Sequence, residues 1–227
     1  MSSLKDQLKE EVRTERQKMK EMSLEDKLWY IWEYYKFHIG AVLVLILLIS
    51  VVITSVRNAS IDPGLYCVII NNRSSQELDT APLEQDFFNH MGFGKKQPVY
   101  VESMYISYGD DATEYSYASM AKISALVATR DLDVIMADAE SMDHYASLDG
   151  MADLEQILPP DVLSAVKDRL RTAPDSTGRS VSVSVDISGT SLADLMHLSD
   201  EAANLGIVNN SGQTDYAVAL VRYIFGL

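Results

Sequence analysis

The densest run of side chains able to do chemistry is Asp138-Ala-Glu140-Ser-Met-Asp143-His144, three carboxylates and an imidazole within one short stretch. Carboxylate and imidazole groups at this density are the raw material of a divalent-cation site, but such sites draw on a second cluster at defined spacing, and none follows in the chain. The plainer reading is a strand end running into a helix whose first turn carries acids that complement the helix dipole. Outside the apolar run described below, His90, His144 and His197 lie far apart in sequence, so none marks a nucleophile–base pair. There is no G-x-S-x-G, Walker loop, G-x-G-x-x-G, H-E-x-x-H, C-x-x-C or EF-hand pattern. The expectation is a chain with no catalytic residue, no metal and no cofactor.

Binding groups are better represented. Asn71-Asn72-Arg73-Ser74, Tyr108-Gly109-Asp110-Asp111 and Asp138-Ala139-Glu140 each follow an apolar run that reads as a strand. Open α/β sheets bind ligands outside the C-terminal ends of their strands, which makes Asn71, Asn72, Arg73, Ser74, Tyr108, Asp110, Asp138 and Glu140 the candidate ligand or partner contacts. Ordinary turn chemistry is the competing explanation, because Asn, Ser, Gly and Asp dominate loops in any case.

The elements that must position these groups follow from periodicity. Residues 65–71 (LYCVIIN) form a continuous apolar strand candidate, 81–93 a short helix, 99–111 a strand and 112–130 an amphipathic helix. Residues 132–138 (LDVIMAD) read as a further strand, followed by short helices in AESMDHYASLDG and around ADLEQIL. A helix opening with proline is predicted over 159–171, an alternating strand over 180–188, a helix in TSLADLMHLSD, a strand over 205–210 and a closing helix in TDYAVALVRYIFGL. Strands alternating with helices predict an α/β domain with a mainly parallel sheet.

Ahead of this domain lies Phe37–Val56, FHIGAVLVLILLISVVITSV, with no charged side chain between Lys36 and Arg57. Twenty residues at a helical rise of 1.5 Å span about 30 Å, the thickness of a bilayer's hydrocarbon core. A buried helix of a soluble protein would show a polar face, and this run offers only His38, Ser50, Thr54 and Ser55. A cleaved signal peptide is disfavoured by the long preceding region and by Arg57 where a small residue is needed. Eight bases precede the run, whereas Arg57 is the only base in the first fifteen residues after it. Positive charge stays on the cytoplasmic side, so the N-terminus is expected inside the cell and the C-terminal domain outside. Trp29, Tyr30, Trp32, Tyr34, Tyr35 and Phe37 form the aromatic belt at the inner approach. The organisation is therefore 1–36 cytoplasmic and helical, with a capping box at Ser23–Asp26, then 37–56 transmembrane, 57–64 linker and 65–227 extracytoplasmic α/β domain.

Charge and cysteine usage agree. Residues after Arg57 carry ten bases and 25 acids, a balance that repels nucleic acid and anionic lipid. The single cysteine, Cys67, cannot form an intrachain disulfide and reads as a buried small hydrophobe. A disulfide-free exported domain points to a bacterium.

At the level of motifs, Ala121-Lys-Ile-Ser-Ala-Leu-Val-Ala-Thr-Arg130, then Leu132-Asp-Val-Ile-Met-Ala-Asp138 and Tyr145-Ala-Ser-Leu-Asp-Gly-Met-Ala-Asp-Leu154 resemble a segment of extracellular solute-binding proteins. Gly206-Ile-Val-Asn-Asn-Ser211 and Tyr216-Ala-Val-Ala-Leu-Val-Arg-Tyr-Ile224 are similar to a late strand, turn and helix of the same family. LEDKLWYIWEYYKFHI before a single span resembles a group of Firmicutes membrane proteins whose outer domain is a reduced version of that fold. The resemblance covers roughly residues 113–160 and 204–226 and implies a periplasmic-binding-protein-like domain. Leu132 departs from the family's usual proline, and the domain has room for little more than one of the family's two lobes. The expected function is a non-enzymatic, membrane-anchored binding or docking domain. Another envelope protein or a second copy is the expected partner, with a small-molecule ligand or a transporter-component role as alternatives. An extracytoplasmic hydrolase is the competing class.

Overall fold

The computed structural model describes residues 10, 13–14, 23–58 and 64–227. Most of the charged stretch 1–22 and residues 59–63 of the expected linker lie outside the described residues. The chain divides into two units, Met1–Ser60 and Ile61–Leu227.

In the first unit the helix α1 (Leu24–Asn58) runs for 35 residues. Its window Lys36–Thr54 is long and apolar enough to cross a membrane, and none of that window is buried. Apolar side chains exposed on every side of a helix are what a lipid environment accommodates and water does not.

The second unit is a six-stranded sheet with helices on both faces. Its strands are β1 (Leu65–Ile70), β2 (Val99–Met104), β3 (Val134–Ala137), β4 (Leu170–Pro174), β5 (Ser180–Asp186) and β6 (Asn204–Ile207). The spatial order is β2-β1-β3-β6-β5-β4. The connecting helices are α2 (Phe88–Met91, entered through a π-helical turn at Pro82–Phe87), α3 (Glu114–Thr129), α4 (Ala139–Ser147), α5 (Leu154–Ile157), α6 (Pro160–Val166), α7 (Ser191–Met196) and α8 (Thr214–Phe225).

The apolar run of β1 is explained by its position, since a central strand is buried on both faces. Leu65, Cys67 and Ile69 enter one core with Phe87, Val162 and Leu220, while Val68 and Ile70 enter the other with Ile123, Met142 and Tyr145. Helix boundaries follow local chemistry. Thr113 caps α3 by accepting from Ser116 N, and Arg130 ends it in the left-handed region at φ 64°. Pro160 opens α6, where a missing N–H costs nothing.

The mainly parallel expectation holds in strand direction but not in every pairing, and two further expectations are corrected. The sheet is mixed: β1 pairs in parallel with β2 and β3, whereas the β3–β6, β6–β5 and β5–β4 pairings are antiparallel. The parallel expectation holds for direction in four strands, β1, β2, β3 and β5, and fails for β4 and β6. Next, the helix expected over 159–171 stops at Val166, and Leu170–Pro174 is a strand instead. The turn Asp175-Ser-Thr-Gly-Arg179 folds this segment back on β5 as a hairpin, and tertiary pairing overrides helix propensity. Finally, the strand expected to reach Asp111 ends at Met104. Beyond it the Asn71 side-chain amide takes the place of a ladder partner, accepting from Ile106 N at 2.8 Å and donating to Ile106 O at 2.9 Å.

Candidate functional site

At the C-terminal ends of β1, β2 and β3 the structure brings together much of the predicted shelf. Asn71, at φ 59°, donates through Nδ2 to Asp138 Oδ2 at 2.8 Å as well as to Ile106 O. The other Asp138 oxygen accepts from Ser141 N at 3.0 Å and caps α4. Asn72 is buried; its Oδ1 accepts from Ser199 N at 2.8 Å and its carbonyl accepts from Tyr105 Oη at 2.6 Å. The amides of Asn71 and Asn72 and the carboxylate of Asp138 are thus engaged in joining loops, as the turn-chemistry reading holds. Arg73, Asp110 and Glu140 are exposed and Ser74 is half-buried.

Tyr108 stacks on His144 with ring centroids 4.4 Å apart, and His144 meets Tyr145 edge-on at 5.2 Å. Burial pushes the Tyr108 and Tyr145 phenols up and the His144 imidazole down from their ordinary values. The acidic run 138–144 disperses around its helix. Asp138 caps it, Glu140 faces solvent, Asp143 pairs with Arg171 at 2.8 Å and His144 lies against Tyr108. Among the described residues no group of three or more His, Cys, Asp or Glu side chains is placed to hold a metal ion. Cys67 is fully buried in β1 and its thiol is pushed up, which leaves it unreactive.

A concave site lies at the opposite end of the sheet. Strands β5 and β6 pair over only two positions, Val185–Leu205 and Asp186–Asn204, and then part. Val183 is an extra residue on β5, skipped in its register with β4, and such a bulge bends a strand. Into the gap comes Met151, bridging Val208, with Ala152 N donating to Ile207 O at 2.8 Å. The result is a cleft of about 360 Å³ whose floor includes Ala146, Met151, Ala152, Ile157, Val181 and Val208. Its rim carries Asp149, Asp153, Gln156, Asp175, Arg179, Asn209 and Thr214. The volume falls within the range of small-molecule sites.

The walls of this cleft are tied to one another. Asp149, at φ 56°, accepts from Ser176 N at 3.1 Å and Ser176 Oγ at 2.5 Å, pinning the β4–β5 turn to the loop after α4. Asn209 N donates to Gly150 O at 2.9 Å and Asn209 Nδ2 to Asp149 O at 3.2 Å, which pins the β6–α8 loop to the same point. Asp175 accepts from Thr177 N, Thr177 Oγ1, Arg179 N and Arg179 Nε, and these donors hold its carboxyl down at about 2. A cleft whose loops are cross-bonded is formed before any ligand arrives.

Comparisons with protein-family models, with curated proteins and with solved structures find no match to this chain. The likeness to a solute-binding lobe stays one of sequence motifs.

None of the cleft residues was among the sequence candidates. The visible signal was turn chemistry, Asp149-Gly150 and Asp175-Ser-Thr-Gly, but nothing local says that two such turns meet across a parted pair of strands.

Proposed function

We propose that this chain is a single-pass membrane protein that holds a non-enzymatic binding domain on the outer face of the membrane. The carrying observation is the helix Leu24–Asn58, whose unburied apolar window sits between a base-rich N-terminal side and an acidic α/β domain. The anchor keeps the domain at the membrane, and the pre-formed cleft between β5 and β6 is the site at which it binds. A thermal-shift screen of the whole protein in detergent, with sugars, amino acids, short peptides and divalent cations, tests the binding role. A ligand at a hundred times its Kd should add about 2.7 kcal/mol of stability. Loss of that stabilisation in a variant that fills the cleft floor, Ala152→Leu, supports this site, and a screen with no hit counts against solute binding.

A second reading is favoured by the strand-end shelf. Its inward groups are engaged internally while Arg73, Asp110 and Glu140 project to solvent, an arrangement suited to the flat surface of another envelope protein or a second copy. Turnover abolished by mutation of Asp138, Glu140 or His144 would favour the hydrolase alternative over both.

A further inference from the structure

The cleft between β5 and β6 holds an uneven charge balance. Three carboxylates line it, Asp149, Asp153 and Asp175, against one guanidinium, Arg179. Arg179 is already seated, with Nε on Asp175 Oδ2 at 3.2 Å. Asp149 and Asp153 pair with no base among the described residues. Their hydrogen bonds come only from neutral donors: Ser176 N and Oγ on Asp149, and Glu155 N and Gln156 Nε2 on Asp153. A concave, partly apolar surface focuses such an uncompensated field, so cations concentrate there and anions are turned away.

The form of the cation follows from the rest of the lining. The carboxylates lie in two connections, Asp149 and Asp153 between α4 and α5 and Asp175 in the β4–β5 turn, and among the described residues no three metal-ligating groups converge, so the geometry does not suit a bare ion. It suits a charge carried on a short carbon stem. The stem would cover Met151, Ile157, Val181 and Val208, while N–H groups of the charged head donate to carboxylate oxygens in charge-assisted bonds. Arg179 is the internal precedent, a cationic group on a methylene stem that lines this same cleft against Asp175. The cross-bonded walls mean that little loop ordering opposes binding.

From this we infer that the cleft takes small organic cations, an alkylammonium or alkylguanidinium group on a short apolar stem, with Arg179 as a built-in competitor at Asp175. The inference rests on the cleft being the binding site of the domain. Its test uses the full chain in phosphatidylcholine nanodiscs and calorimetric titration with three probes of equal stem length: butylammonium, 1-butanol and butyrate. Butylammonium should bind at least tenfold more tightly than either of the others. Asp153→Asn, which keeps the helix cap, should weaken it about tenfold, and Arg179→Ala should tighten it several-fold. That gain guards against misreading a folding defect, since a damaged fold does not improve affinity. Equal binding of butanol or butyrate overturns the cationic class while leaving the cleft as a binding site. Failure of butylammonium to bind wild type and Arg179→Ala alike overturns the inference itself, whereas the broader binding role fails only if the wider solute screen is also silent.

Discussion

Asp133 is a carboxylate set just before an apolar strand and is 1 % exposed. It accepts from Tyr66 N at 2.9 Å, Ser211 Oγ at 2.6 Å and Gln213 N at 3.2 Å, tying the starts of β1 and β3 to the loop before α8. An amide in its place turns one acceptor into a donor facing another donor. Asp133→Asn should therefore cost about 1–3 kcal/mol in urea unfolding, the range for an unsatisfied buried polar group. Burial pushes the Asp133 carboxyl above its ordinary 3.8 despite those bonds, so the folded state keeps this proton to higher pH than the unfolded chain does. Its contribution to stability falls as pH rises through that window. Asp175 has the opposite sign: its carboxyl sits at about 2 against 3.8, so its contribution is present above 3.8 and is lost as pH falls towards 2. Carboxyl-carbon chemical shifts followed by NMR from pH 6 to 1.5 should show Asp175 among the last to protonate. A midpoint for Asp175 near 4 would remove the argument that its turn is held by charge-assisted bonds.

At the scale of elements, much of the architecture was legible from periodicity. The two-faced apolar runs of β1 and β3, the Thr113-capped α3 and the amphipathic α8, which buries Ala217, Leu220 and Val221 on one side, all stand close to where residue spacing places them. What escaped sequence reading depends on pairing between strands. β4 has the composition of a helix end and becomes a strand only because β5 is beside it. The cleft lies where β5, bulged at Val183 in its register with β4, no longer pairs with β6, and no local signal encodes that. Gly206 belongs to the same event, since a Cβ there would lie 2.7 Å from the Val183 carbonyl oxygen. Gly206→Ala should destabilise the domain by about 1–3 kcal/mol through overpacking, read as a lower denaturant midpoint at unchanged slope. On the helical side, Leu220→Ala should cost about 2–5 kcal/mol, because Leu220 is fully buried.

At the scale of the whole molecule, the account depends on which side of the membrane the acidic domain occupies. The proposed orientation rests on the charge asymmetry around the apolar helix, with eight bases before it and Arg57 alone just after. Cys67 makes the question experimentally clean. It is fully buried with its thiol pushed up, so the natural chain offers no background to thiol reagents. A single new cysteine at exposed Ser75, and in a separate variant at Ser3, can be challenged with a membrane-impermeant maleimide on intact bacterial cells and again after lysis. The account predicts that Ser75→Cys is labelled on intact cells and Ser3→Cys only after lysis. Labelling of Ser3→Cys alone on intact cells, with Ser75→Cys protected until lysis, would contradict it.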